Sequence, residues 1–206
     1  TAQITASFIV NNGLASNSST LTLNITGVND APVCNNITIT TSEDTTGTTL
    51  PDCTDVDGDT LSYMIVGAAS NGTGSYVAPN LSYAPNSNFT GIDGFTYKAN
   101  DGTVDSNTAN VSVTVDAVND APATSNVTDT TVEDTAKSIT LSYTDVENDQ
   151  ATSCSVSGIS NGSVSTACAC VAGVCEVGIT PALNSTAQVT ANYTVSDGST
   201  SNTSTI

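Results

Sequence analysis

The chain has 206 residues, room for one large domain or two of about 100 residues each. Its 20 acidic residues face only two basic ones, Lys98 and Lys137, for a formal charge of −18; this excludes nucleic-acid binding, which needs Lys and Arg for phosphates, and an anionic membrane surface. His and Trp are absent, which removes Ser–His chemistry, imidazole ligands and the indole platforms that sugar-cleaving sites use.

The first legible element is a strand in which Leu21, Leu23 and Ile25 alternate with Thr22, Asn24 and Thr26. A period of two is what a sheet with one buried face requires. After the linker Val28-Asn29-Asp30-Ala31-Pro32 come Cys34, the acidic pair Glu43-Asp44, Cys53 and the loop Asp55-Val56-Asp57-Gly58-Asp59. The turn Asn71-Gly72 follows, then an aromatic block from Phe89 to Tyr97, the turn Asp101-Gly102, and a strand carrying Val111, Val113 and Val115. The second linker, Val118-Asn119-Asp120-Ala121-Pro122, opens the series again with Glu133-Asp134, Asp145-Val146-Glu147-Asn148-Asp149 and Asn161-Gly162. A cysteine-rich stretch replaces the aromatic block, and an alternating strand from Val189 to Val195 leads to Asp197-Gly198. No stretch of ten residues places apolar side chains at helical spacing, so the whole chain is predicted to be β. Turn signals every 8–12 residues predict seven-strand, immunoglobulin-like sandwiches.

The landmarks recur at a shift of 90 residues, and a shift of 185 places residues 1–21 on 186–206 with 11 identities. The chain is therefore divided into the closing strands of one repeat (1–30), a complete repeat (31–120) and a repeat lacking its last strand (121–206). Two repeat types alternate, which predicts one polypeptide running through successive superrepeats. The rival is strand exchange, in which residues 1–30 of one molecule complete the last repeat of the next.

Six cysteines in such a chain point to an oxidising, extracellular or cell-surface setting. Cys34 and Cys53 correspond to Thr124 and Tyr143 and are lost together, as a bonded pair would be. Ala172-Gly173 reads as a two-residue hairpin turn that sets Cys170 against Cys175 and leaves Cys154 for Cys168, although four cysteines permit three connectivities and a four-thiolate zinc site is the alternative. Twelve Asn-x-Ser/Thr sequons, at Asn17, Asn24, Asn36, Asn71, Asn80, Asn88, Asn110, Asn126, Asn161, Asn184, Asn192 and Asn202, predict N-glycosylation.

The order of these landmarks resembles the cadherin-like tandem repeats of large bacterial and archaeal surface proteins. That resemblance implies a linear rod of β-sandwiches with calcium at the junctions. Carried over by position, the ligands at the first junction would be Asp30, Glu43, Asp55 and Asp57. At the second they would be Asp101, Asn119, Asp120, Glu133, Asp145 and Glu147. The linker is one residue shorter than the cadherin Asn-Asp-Asn-Ala-Pro, and Asn12 and Thr26 replace acidic positions of the first partial repeat. Physical chemistry points the same way, because packed carboxylates such as Asp55, Asp57 and Asp59 repel unless a cation screens them, and calcium accepts six to eight oxygens in a tolerant geometry.

The expected role is a structural extracellular module, a stiff rod or fibril whose partners are neighbouring repeats. The alternative is an adhesin segment that grips a receptor, a glycan or another copy of itself. No catalytic residue is expected, and no apolar run is long enough to cross a membrane.

Overall fold

The computed structural model describes residues 2–13 and 16–206, with the side chains of residues 16 and 17, and so the Asn17 sequon, outside that description. All elements among the described residues are strands. The chain divides into two compact units, Thr1–Asp116 and Ala117–Ile206.

In the first unit, β1 (Ala2–Asn11) and β2 (Ser16–Ile25) form an antiparallel hairpin in which Ile4 faces Leu23 and Ala6 faces Leu21. The remaining strands are β3 (Val33–Cys34), β4 (Ile37–Ser42), β5 (Gly47–Thr49), β6 (Cys53–Thr54), β7 (Ser62–Gly67), β8 (Gly72–Val77), β9 (Asn80–Pro85), β10 (Gly91–Asn100) and β11 (Ala109–Asp116). They build a sandwich of a four-stranded sheet, β4-β11-β10-β7, and a three-stranded sheet, β5-β9-β8, with β3 and β6 paired as a short ribbon. The two faces meet because alternate residues on each strand are apolar and need cover. Val111, Val113 and Val115 of β11 point inward with Phe95, Tyr97 and Ala99 of β10, against Leu81 and Tyr83 of β9.

Two details show how closely the layers approach. The rings of Tyr83 and Phe95 lie parallel with centroids 6.4 Å apart. Gly74 of β8 runs directly over Phe95, and a Cβ there would sit 2.6 Å from the ring. The Tyr97 hydroxyl donates to the Asn35 carbonyl (2.8 Å) and accepts from the Asp52 amide (3.2 Å), locking the ribbon to the end of β10.

The second unit contains β12 (Ala123–Thr124), β13 (Lys137–Thr140), β14 (Tyr143–Thr144), β15 (Ser153–Ser160), β16 (Gly162–Val171), β17 (Val174–Pro181), β18 (Thr190–Ser196) and β19 (Ser204–Thr205). Its sheets are β13-β17-β16 and β15-β18-β19, with β12 and β14 as the ribbon. Ile139, Cys175, Val177, Ile179, Tyr193 and Val195 form the core. Tyr193 repeats the part of Tyr97, with its hydroxyl bonded to the carbonyls of Ser125 and Ser142 on the ribbon side. Tyr143, in the place of Cys53, donates to the Gly173 carbonyl (2.7 Å) and accepts from the Ala151 amide (3.0 Å), so hydrogen bonds stand where the first unit has a disulfide.

The alternation of Leu21, Leu23 and Ile25 behaves differently from that of the other strands. They share one hairpin face with Ile4 and Phe8, yet they remain 61%, 57% and 42% exposed. A two-stranded ribbon has no second layer of its own, so alternation sets which face is apolar without covering it.

Candidate functional site

In each unit the linker, the Asp-rich loop and the Asp-Gly turn converge. In the first, the Asp55 Oδ1 collects the backbone amides of Asp57 (2.8 Å), Gly58 (3.0 Å) and Asp59 (3.4 Å). This side-chain-to-backbone turn is what Asp favours in a loop, and Gly58 supplies the left-handed residue, with φ of 79°. The Asp30 amide donates to Asp57 (2.8 Å), and the Asn29 side chain donates to Asp101 (2.9 Å). Asp101 in turn accepts from the amides of Thr103 and Val104 in its own turn.

The second unit repeats the plan. The Asp149 amide donates to Asp145 (2.9 Å), the Asp120 amide to Glu147 (3.2 Å), and the Asn119 side chain to Asp197 (3.3 Å). Asp197 also accepts from the Ser199 amide (2.8 Å).

The arrangement leaves carboxylate oxygens facing one another. Asp55, Asp57 and Asp59 each bring one oxygen within 4.8 Å of the others, and so do Asp145, Asp149 and Asp197. The second oxygens of Asp55, Asp145 and Asp197 are shielded from solvent and accept no hydrogen bond. An ionised carboxylate without a partner is costly to shield from water. Burial alone would push the Asp197 carboxyl up, yet the Ser199 amide and the Asn119 side chain outweigh it and hold it below the usual carboxylate range. At Asp101 the Asn29 amide is the main cause of the same downward shift. Asp197 and Asp101 are therefore anions at neutral pH, and an all-oxygen set of closely spaced carboxylates suits a hard divalent cation. The residues present fit calcium.

The placement differs in places from that carried over by position. Asp101, grouped with the second linker on the sequence, is hydrogen-bonded to Asn29 of the first, because the turn after β10 folds back to the end where the linker enters its own unit. Glu133 is exposed and uses its backbone carbonyl to accept from Thr135 (3.3 Å). Glu43 is 4% exposed, with its amide bonded to the Asp116 carbonyl. Asp149 and Asp197 are absent from the ligands carried over by position, and so is Asp59, which the sequence marks only through its crowding with Asp55 and Asp57. The signal for Asp197 was present, since Asp197-Gly198 is the counterpart of Asp101-Gly102. The other half of each acidic pair has a local job: Asp44 and Asp134 sit at positive φ and accept from the amides of Asn88 (3.3 Å) and Asn184 (2.8 Å).

The cysteines pair as Cys34–Cys53, Cys154–Cys168 and Cys170–Cys175, leaving no free thiol for zinc. The first bridges β3 to β6, the second joins β15 to β16, and the third ties β16 to β17 beside the Ala172-Gly173 turn.

A family model of the bacterial Ig domain matches residues 29–114 and 119–206. The chain belongs to the bacterial Ig domain family. Its two matched segments make it a tandem of Ig-like repeats. No curated protein matches the chain in sequence. Among solved structures, extracellular cadherin domains 1–5 of protocadherin gamma B2 superpose over 100% of this chain and 44% of theirs, with 15% identity and a TM-score of 0.52. The cis-dimer of protocadherin gammaB7 domains EC3–6 covers 99% of this chain and 57% of its own, with 20% identity and a TM-score of 0.50. An endo-fucoidan hydrolase of glycoside hydrolase family 107 aligns with 99% of this chain and 33% of its own, at 17% identity and a TM-score of 0.38. The chain thus spans from a third to about half of these proteins, and the protocadherin matches show a shared cadherin-like sandwich fold. No helix of the described residues is long and apolar enough to cross a membrane.

Proposed function

We propose that this tandem of Ig-like repeats is a structural segment of a cell-surface rod or fibril, stiffened by calcium bound to the acidic loops and carrying N-linked glycans. Bacterial Ig domains are extracellular surface modules as a class, and an acidic chain held by disulfides suits that setting. The observation that carries the reading is the recurrence of one acidic plan in both units, with solvent-shielded oxygens of Asp55, Asp145 and Asp197 left without a donor. Asp55, Asp57 and Asp59 would hold one ion; Asp145, Asp149 and Asp197 would hold another. Calcium would supply charge neutralisation alone, fixing the loop between β14 and β15 to the turn after β18 and, in the first unit, bracing the loop between β6 and β7 within itself. The role is mechanical rather than catalytic.

Thermal unfolding in calcium and in excess chelator tests the proposal. A ligand that binds only the native state at 100 times its Kd stabilises by about 2.7 kcal/mol per site. Chelation should therefore lower Tm by roughly 10 °C, at a few degrees per kcal/mol for domains of this size. An unchanged melting curve would remove calcium from the account.

Glycans are expected at exposed sequons such as Asn88, Asn110, Asn184 and Asn192. Asn161 and Asn202 spend their side-chain amides on the carbonyls of Gln188 and Thr124, and should be unoccupied. Peptide mapping of native material decides this, and glycan on Asn202 would contradict it.

A further inference from the structure

Three sulfurs of the second unit crowd together. The Sγ atoms of Cys154, Cys170 and Cys175 all lie within 4.8 Å of one another, although only Cys170 and Cys175 are bonded. Cys154 is bonded instead to Cys168. Two disulfides therefore sit side by side, and the strand pattern is the cause. On β16, Cys168 and Cys170 turn toward the core while Ala169 between them stays exposed, the alternation a strand imposes. Cys170 faces Cys175 on β17, its neighbour in the same sheet. Cys154 lies on β15, in the other sheet. Cys154–Cys168 is thus a clasp between the two sheets, and Cys170–Cys175 a rung within one of them. The first unit offers no parallel, since its only cysteines are Cys34 and Cys53.

Burial gives the four sulfurs an order of reaction. Cys175 is 0% exposed, whereas Cys154, Cys168 and Cys170 are half-buried. A thiolate breaks a disulfide by attacking one sulfur, and the other sulfur leaves faster the lower its pKa. Apolar surroundings raise a thiol's pKa, so expelling the Cys175 thiolate into the core is disfavoured. A dissolved thiol that attacked Cys170 would have to do that. Attack on Cys154–Cys168 expels a sulfur that water reaches, and this bridge opens first. The same rule directs the next step: a Cys154 thiolate has both Cys170 and Cys175 within reach, and attack on Cys175 expels the more solvated Cys170.

We propose that Cys154, Cys168, Cys170 and Cys175 form a thiol–disulfide exchange site open to small dithiols. A thiolate of the dithiol attacks the Cys168 Sγ, and Cys154 leaves as a thiolate. The second thiol of the reagent then attacks the mixed disulfide, Cys168 leaves, and the reagent departs as a cyclic disulfide, oxidised by two electrons. Cys154 attacks the Cys175 Sγ, forming Cys154–Cys175 and breaking Cys170–Cys175, and Cys170 takes the electron pair and a proton from solvent. One disulfide has become two thiols, at Cys168 and Cys170. The clasp between the sheets is handed from β16 to β17 instead of being lost, so the second unit stays cross-linked after a single reduction. Neither calcium nor glycan enters the argument.

Limited reduction of the whole folded chain with dithiothreitol, followed by acid quenching, alkylation and peptide mapping, tests the proposal. The first reduced species should carry label on Cys168 and Cys170, a Cys154–Cys175 bridge, and an intact Cys34–Cys53. Label on Cys154 and Cys168 with Cys170–Cys175 intact would overturn the exchange, and label on Cys170 and Cys175 with Cys154–Cys168 intact would overturn the order of opening. A Cys168→Ser variant removes the reductant from the question, because Cys154 then starts without its partner. Alkylated without reduction, the variant should be labelled at Cys170 and bridged as Cys154–Cys175, in the same proportion on dilution. Label confined to Cys154, or exchange that disappears on dilution, would contradict an intramolecular site. The wild-type mapping decides the matter even if the variant fails to fold.

Discussion

Asp93, in the middle of the aromatic block, ties three segments of the first unit together. It accepts from the amides of Asn71 (2.7 Å) and Ser70 (3.1 Å) and from the Tyr83 hydroxyl (2.8 Å). Burial pushes its carboxyl up, but these donors and the Gly94 amide outweigh burial and hold it below the usual carboxylate range. Burial is likewise the main cause that pushes the Tyr83 phenol upward, with the Asp93 hydrogen bond adding to it. A carboxyl whose folded pKa is depressed stabilises the fold above its unfolded pKa, near 4, and that contribution is lost as pH falls through the folded value. Asp93→Asn should cost about 1.5–3 kcal/mol at neutral pH, the range for a hydrogen bond to a charged group. In urea unfolding, the gap from wild type should stay constant above about pH 5 and close in acid; a gap that persists unchanged at pH 2 would contradict the ionic account. Tyr97→Phe should cost about 1–2 kcal/mol by the same measurement, because it strands the Asp52 amide and the Asn35 carbonyl. The aromatic block from Phe89 to Tyr97 was legible as a landmark, but the partners of Asp93 within it were not, since a contact across 22 residues leaves no local period to read.

Among the elements, the hairpin between β16 and β17 was the most legible. Ala172 and Gly173 have φ of 49° and 80°, the paired left-handed geometry of a type I′ turn, and Cys170 therefore faces Cys175. The path of β16 beyond that turn was not legible, because register shifts between Val164 and Ala169 change which residues face β17. Such bulges depend on how a strand bends over its neighbour rather than on its own pattern. The three bridges should differ in weight. Cys34–Cys53 spans 19 residues and Cys170–Cys175 spans five, which on the loop-entropy model corresponds to about 3 and 2 kcal/mol. Removing the first pair as Cys34→Ser with Cys53→Ser should lower the denaturation midpoint of the first unit more than removing the second pair lowers that of the second unit. The reverse order would mean that strain or packing outweighs loop closure.

For the molecule as a whole, the decisive feature is that charge is concentrated where the chain turns. The acidic loops were legible because the same spacing occurs twice, 90 residues apart. The inclusion of Asp149 and Asp197 was less so, since the turn after β18 reaches the loop only through the folded sandwich. Lys98 and Lys137 are each engaged locally, at 2.5 Å from Asp105 and Asp129, so neither neutralises the loop clusters. The central claim is that a divalent ion does. Titration calorimetry of calcium into the metal-free chain tests it most directly, with a double variant of Asp145→Asn and Asp197→Asn in parallel. Saturable binding is predicted with Kd of about 0.1–1 mM, the range of extracellular calcium modules, together with loss of at least one site in the folded variant. The absence of any saturable heat up to 10-fold above that range, or full binding by the variant, would contradict it.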